Sequence, residues 1–480
     1  MINNKFSAQH EAKVLQGLLT FISSIDENSS IDSRLISSEL KTRYLDLLEL
    51  LADNSSLPDL INLFSACDHL YYKKVLSKVT SEEDHSLLIH SISNFGVYLS
   101  QRFQTLSPQY EIRGNLEKVL FVIKGPFNLA HMSFAKSFYL GYTSNDTKLT
   151  FPYFVFLDDS VPSAIKSISF DLTRLNVYSK MVALKKIISE NSFGTIIWPS
   201  VAQNVSLFMG SRFAKCQIYW SARYKNQLFD TVDKYFFGAR SSRQNIAYNG
   251  VQWGHGRFHV CEWNKVNIIS PKSTLFAKSD RDWEAFIRRK INMNFLICGT
   301  ISSGRKMNDS DFHHQILSLL QSNDSIYYFY TSRNECCPLQ ELLNSNGLSK
   351  RFKRIDWIHT MSPLLKLFDL IIDSFPVGSS HALCYALQSS TPFISMASQA
   401  NRESSLLNTL MPLIYNSEFS LEDVGFALSK SQFSNMCMNY AQISQKVARY
   451  SLLEKQRFIV NQCLNSPTAM YQDFSELILA

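Results

Sequence analysis

The chain has 480 residues, 45% hydrophobic and 13% aromatic, with a formal net charge of +7. That length allows about three domains with sizeable cores, and the composition excludes a disordered or low-complexity chain. So mild a charge suits a phosphate-bearing ligand, an acidic acceptor or an anionic membrane face, and no nucleic acid is expected as partner.

The densest basic cluster, Lys350-Arg351-Phe352-Lys353-Arg354, reads as a solvated element end. The nine cysteines are scattered and odd in number, without CxxC spacing, as suits reduced thiols in a cytoplasmic protein. The opening MINNKFSAQHEAK carries no apolar core of a signal peptide, and no run approaches the length of a membrane span. A cytoplasmic location is therefore expected, with peripheral membrane contact left open.

Residues 1–113 follow a helical pattern, with amphipathic stretches near 8–25, 33–53, 57–79 and 81–103. Asp32 or Ser33 can cap the second, Pro58 suits the first turn of the third, and Ser81 with Asp84 opens the fourth. At Val119 the pattern changes. VLFVI is a short buried strand, followed by the loop KGPFNLAHM and a helix from Ser133. Strands are predicted at Tyr153–Leu157, Thr195–Trp198, Gln217–Trp220 and Lys234–Phe237, with helices over 176–190 and 204–215. Strands alternating with helices imply a mostly parallel, doubly wound sheet. Residues 240–285 read as loops and an interdomain connection.

A second α/β block opens at Phe295 with the strand NFLICG, the loop TISSGRK and a helix Asp309–Gln321. Strands at Ile326–Tyr330 and Ile355–Trp357 follow, with a helix Leu339–Leu343 between them and another at Pro363–Phe368. The stretch DLIIDSFPVGSSHALCYALQSSTPFISM then gives strand, tight loop, helix His381–Gln388 and a further strand, and the tail after Leu421 is helical. Ligands of such sheets bind at the carboxyl ends of the strands, so the active site is expected in a cleft between the two blocks.

Two loops of the second block have the chemistry of an anion cradle. Thr300–Lys306 offers small residues, Ser303 among them, and then Arg305 and Lys306. Small residues let backbone N–H groups approach a phosphate, and the cations neutralise it. Gly378-Ser379-Ser380-His381 leads into a helix, whose N-terminus favours an anion.

These segments carry a resemblance. NFLICGTISSGRKMNDSDFHHQILSLL and the stretch from GLSKRFKRIDWIHTMSPLLKLFDLIIDSFPVGSSHALCYALQSSTPFISM resemble the C-terminal half of family 41 glycosyltransferases. That family includes the O-linked N-acetylglucosamine transferases and the bacterial cytoplasmic N-glycosyltransferases of adhesins. GTIIWPSVAQNVSLFMGSRFAKCQIYWSARYKNQLFDTVDKYFFGA is similar to the family's Gln-containing strand and the Asp that follows it. The resemblance covers roughly 195–400, more weakly 115–195.

It implies a GT-B-like α/β fold of two Rossmann-like domains facing a cleft, preceded by an all-α domain. The divisions would be 1–113 all-α, 114–288 acceptor-side, 289–445 nucleotide-sugar, and 446–480 a helical tail. The implied activity is metal-independent transfer of a sugar from a nucleotide-sugar, UDP-linked in the family, to a protein acceptor in a bacterial cytoplasm. No cofactor is implied beyond that co-substrate. A lipid-linked or polysaccharide acceptor, or a non-catalytic binding module, are the alternatives. By resemblance Lys306 binds the donor diphosphate, Ser380 and His381 stand where the family has a His-Thr pair, and Gln217 lines the cleft. Ser303, Arg305, Gly378 and Ser379 complete the donor loops, and His131 is placed as general base or acceptor-orienting group. Tyr385 occupies the position of an acidic residue that contacts the donor ribose. Ala222-Arg223-Tyr224 replaces the family's Gly-His-Pro or Gly-Tyr-Pro turn.

Other candidates have bland readings. Asp158-Asp159 reads as an acidic strand-end turn before a metal pair. His313-His314 point to different helix faces, which argues against a metal site. Trp253, His255 and Arg257 are either an acceptor loop or a packed aromatic connection. No G-x-S-x-G elbow surrounds Ser379.

Overall fold

The structure is a computed structural model. It describes residues 3–25, 32–48, 57–76, 82–107, 112, 114–125, 127, 132–199, 205–221, 229–237, 247–248, 251–252, 259–262, 266–267, 281–302, 304–331, 338–355, 364–398 and 406–479. Its contacts divide the chain into two compact units. The first is Met1–Gly238 with Ser242–Trp263 and Tyr471–Ala480, and the second is Ala239–Ser241 with Asn264–Met470.

In the first unit four helices, α1 (Asn3–Ser24), α2 (Ser33–Leu48), α3 (Leu57–Tyr71) and α4 (Glu82–Leu106), precede a sheet. Strands β1 (Asn115–Ile123), β2 (Phe151–Phe156), β3 (Ser169–Asp171), β4 (Phe193–Pro199), β5 (Cys216–Ser221), β6 (Lys234–Phe237) and β7 (His259–Glu262) lie in the spatial order β3-β2-β1-β4-β5-β6-β7. Every pairing is parallel. Helices α5 (Ser133–Ser144), α6 (Val177–Asn191) and the short α7 (Val205–Met209) connect them. The helix expected over 204–215 thus stops early, because Phe213 and Ala214 turn into the core on the way to β5.

The described residues of the four N-terminal helices share one core with the sheet. Leu60, Phe64, Phe95 and Phe103 belong to the same buried cluster as Leu120, Ile196 and Trp198 of the sheet. Helix α4 packs tightly on α7: a Cβ on Gly96 would fall 2.0 Å from Ser206 Oγ. The seam is also polar, since Ser100 Oγ donates to Leu207 O at 2.6 Å. The last residues of the chain close the other face of this sheet. Phe474 meets Trp220 edge-on at 4.6 Å, and Tyr471 OH donates to Thr150 O at 2.8 Å.

In the second unit, α8 (Arg281–Asn292) leads to β8 (Leu296–Thr300), α9 (Ser310–Ser322), β9 (Ile326–Thr331), α10 (Pro338–Ser345) and β10 (Phe352–Ile355). After them come β11 (Leu370–Ile372), α11 (His381–Gln388), β12 (Phe393–Met396), α12 (Leu406–Tyr415), β13 (Phe426–Ala427), α13 (Lys430–Tyr440) and α14 (Lys446–Asn461), while α15 (Pro467–Leu479) belongs to the first unit from Tyr471 on. The sheet order is β10-β9-β8-β11-β12-β13, again all parallel. Side chains alternate between two cores. Leu296, Cys298, Tyr328, Tyr330, Leu370 and Ile372 face one side with Phe312 and Phe433, while Ile297, Phe329 and Ile371 face the other with Leu383 and Leu406.

Two expectations change here. Among the described residues the strand expected at Ile355–Trp357 is Phe352–Ile355, with residues 356 and 357 lying outside them, and the tail after Leu421 is interrupted by β13, which adds a sixth strand to the sheet. Among the described residues no helix is long and apolar enough to cross a membrane.

Candidate functional site

The chain leaves β8 to build β9 and β10 on one side, then returns to lay β11, β12 and β13 on the other. The order therefore reverses between β8 and β11, and the crevice beyond their carboxyl ends is where a ligand of such a sheet binds. The loops that follow these two strands are Ile301–Asp309 and Asp373–Ser380, the two anion-cradle candidates of the sequence.

They are stitched together. Lys306 Nζ donates to Gly378 O at 2.5 Å, Ser302 Oγ and Ser374 Oγ lie 2.9 Å apart, and Ser379 Oγ donates to Ile301 O at 3.2 Å. Beneath them Thr300 Oγ1 donates to Ile372 O at 2.5 Å. Ser302 is also tied to the end of β9, its amide donating to Thr331 Oγ1 at 2.9 Å and its carbonyl accepting from the same hydroxyl at 2.7 Å. Lys306 sits on a 3-10 turn, Gly304–Met307, that precedes the Asp309 cap of α9. The buried His313 one turn along α9 bonds Met307 O through Nε2 at 2.6 Å. A carbonyl only accepts, so Nε2 carries the proton. Burial lowers the pKa of this imidazole, which keeps it neutral.

The second loop is held from below. Asp373 is 1% exposed, and both its carboxylate oxygens accept from Ser379 N, each at 3.0 Å, while Ser395 Oγ donates to Oδ2 at 2.8 Å. Burial pushes its pKa up, against the pull of the Ser379 and Ser395 bonds and of the nearby Lys306 charge. Phe375 anchors the outer turn, edge-on to Phe312 at 5.4 Å and to Phe433 at 5.2 Å. Ser380 is the N-cap of α11 and makes no side-chain cap hydrogen bond, and His381 is the first helical residue. A half-buried ammonium thus lies beside a helix N-terminus on a braced shelf.

No protein-family model matches the chain, and no curated protein matches it. Among solved structures it is similar to an O-GlcNAc transferase mutant of Thermobaculum terrenum, with a TM-score of 0.53 at 10% identity, over 99% of this chain and 96% of that one. It is also similar to a glycosyltransferase of Rickettsia africae, with a TM-score of 0.51 at 11% identity over 75% and 98% of the two chains. The HepE protein of Anabaena, solved in complex with UDP and glucose, matches with a TM-score of 0.50 at 13% identity over 75% and 99%. This chain has a GT-B-like fold. At such identities the likeness is one of fold alone.

Within the GT-B-like fold the expected site residues are placed differently from one another. Lys306, Gly378, Ser380 and His381 are together on the shelf. Two placements correct the sequence reading. Ser379 is buried, with its amide committed to Asp373 and its hydroxyl to Ile301, so it braces the loop and offers no donor to a phosphate. Gln217 is fully buried in β5, where Nε2 donates to Ser211 O and Thr231 O at 3.2 and 2.8 Å and Oε1 accepts from Phe213 N at 3.0 Å. It ties the strand to its flanking turns and lines no open surface. Tyr385 is half-buried and packs against the core of the second unit. His131, Ser303 and the Arg305 side chain lie outside the described residues, as do Arg223, Trp253, His255 and Arg257.

Asp373 braces the candidate site, a role that sequence reasoning did not assign to it. Its signal was an acidic residue directly after the apolar LII and before a small-residue loop. An acid beside an anion site looks unfavourable until it is seen to hold the loop from below.

The first sheet reverses between β1 and β4. At that edge Asp158 lies 3.1 Å from Lys124 and 2.9 Å from Lys180. Burial would raise its pKa, but the two ammoniums hold it below the usual carboxylate value. Asp159 accepts from Phe127 N at 2.9 Å. The pair is thus engaged in bracing, and among the described residues no cluster of His, Cys, Asp and Glu could hold a metal ion. His314 bonds its own helix at Ser310 O, 2.7 Å away, on another face from His313.

Proposed function

We propose that this chain is a glycosyltransferase that moves a sugar from a nucleotide-sugar to a protein acceptor in the cytoplasm, without a metal ion. The observation that carries the reading is Lys306 beside the N-terminus of α11, on two braced loops at the reversal point of the second sheet. UDP is the favoured nucleotide, in line with the UDP bound in the HepE structure and with the resemblance to family 41.

In the reaction the acceptor nucleophile bonds to the sugar carbon as the bond from that carbon to the diphosphate oxygen breaks. Negative charge grows on the departing diphosphate, and Lys306 with the backbone N–H groups at Ser380 and His381 stabilises it. Fixed donors of this kind act on charge that develops only as the bond breaks, and removing one costs about 10²–10³ in rate. We assign the proton of the acceptor to His131, a role carried by the resemblance alone. Asp373 and His313 position the donor loops without touching the substrate.

Calorimetry with UDP, GDP, dTDP and CDP, followed by turnover of the matching sugars, tests the reading. Binding of UDP with slow release of sugar to water supports it. If none of the four nucleotides binds, the functional reading fails and the fold stands alone.

A further inference from the structure

Helix α5 of the first unit begins without a side-chain cap among the described residues. Its N-cap, Met132, makes no side-chain cap hydrogen bond, and its first turn holds no acidic residue. Its fourth residue is Lys136, only 6% exposed. No described residue accepts a hydrogen bond from Lys136 Nζ or pairs with it. The contact the structure gives this ammonium is the ring of Phe127, 5.5 Å away, in the loop that joins β1 to α5. Side chains on a helix lean toward its N-terminus, and this one reaches back to the loop preceding the helix.

Lys136 is an unfavourable residue as it stands. Burial strips its charge of water and brings its pKa down to about 8, and a cation in a first turn opposes the helix dipole. An anion bound there would offset both penalties. The place is also the expected one, since β1 borders the reversal point of the first sheet. Lys124, after β1, and Lys180, on α6, share Asp158, whereas Lys136 has no counter-charge among the described residues.

We propose that the N-terminal end of α5 is a subsite for an anionic oxygen, carboxylate or phosphate, with Lys136 Nζ and the first-turn N–H groups of α5 as donors. Identifying that anion as part of the acceptor, and the acceptor as acidic, rests on the transferase reading. The anion subsite itself does not.

The full chain is tested at pH 7 and constant ionic strength, with sodium chloride replaced by sodium phosphate or sodium acetate. Thermal unfolding is followed, together with the acylation rate of Lys136 read from peptide masses. Phosphate or acetate is expected to raise the melting temperature of the wild type and to slow acylation at Lys136 at least threefold. Lys136→Met is expected to lose the thermal shift. Protection by phosphate alone assigns a phosphate ligand, and protection by both assigns a carboxylate-accepting site. Unchanged acylation with either anion overturns the proposal, as does an equal thermal shift in Lys136→Met. The wild-type acylation decides the matter even if the variant does not fold. Nucleotide-sugar turnover is measured on the same preparation: protection without turnover removes the acceptor identification and leaves the subsite.

Discussion

Both carboxylate oxygens of Asp373 lie 3.0 Å from the amide nitrogen of Ser379, so a buried acid at the end of β11 holds the loop that presents the start of α11. The acid is the strut of the donor shelf, and its chemistry sets a pH dependence. Burial raises its folded pKa above the ordinary 3.8. The folded state therefore keeps this proton longer than the unfolded chain. The resulting stabilisation is complete below 3.8 and is lost as pH rises through the folded value. Asp373→Asn removes that dependence and weakens the bonds to Ser379 and Ser395, at a cost of about 1–3 kcal/mol. Melting temperatures across the acid range should show the variant gaining on the wild type as pH rises from about 4. A gap that stays constant with pH would show that no titrating buried charge is present.

His313 is expected to position Lys306 through the turn at Met307. His313→Leu leaves the Met307 carbonyl without its partner, which destabilises the fold by about 1–3 kcal/mol. It should also lower kcat more than it raises KM for the nucleotide-sugar. Combined with Lys306→Ala, it should cause no further loss of kcat. Independent, multiplying losses in the double variant would show that His313 does not act through Lys306.

Gln217 separates structure from binding. Gln217→Leu leaves Phe213 N, Ser211 O and Thr231 O without their bonds in a buried strand, and a loss of about 2–4 kcal/mol is expected. Nucleotide affinity of the folded fraction should not change. A tenfold weaker Kd in calorimetry would restore Gln217 to the donor site.

The aromatic anchor under the second loop gives a stability prediction. Phe375 is 2% exposed, and Phe375→Ala should cost about 3–5 kcal/mol by opening a cavity between Phe312 and Phe433. The denaturant midpoint checks this. A change within the error of the midpoint would mean that the anchor is not packed as described.

Much of this fold was legible because strands such as LICGT and LII are short apolar runs between turn residues, which only a sheet covered on both faces can bury. The two loops were legible for the same reason: small residues between a strand and a helix have few other uses. β3, at three residues, and β13, at two, are too short for periodicity to mark them. The bonds of Gln217 and Ser379 to backbone groups were not legible, because a polar residue looks the same in sequence whether it meets a ligand or a backbone group. Lys136 was missed for the opposite reason. Within SFAKSFYLGY it looks like a solvated helix position, and only packing shows that it is buried with no acceptor among the described residues.

The central claim is that Lys306 and the start of α11 stabilise the diphosphate of a leaving sugar donor. Its most direct test compares UDP-sugar turnover by the wild type and Lys306→Ala, with melting temperatures recorded for both. The account predicts a rate at least about 100-fold lower in a variant that still unfolds cooperatively, its melting temperature lowered by no more than the loss of the one Lys306–Gly378 hydrogen bond entails. Wild-type turnover in the folded variant would contradict it.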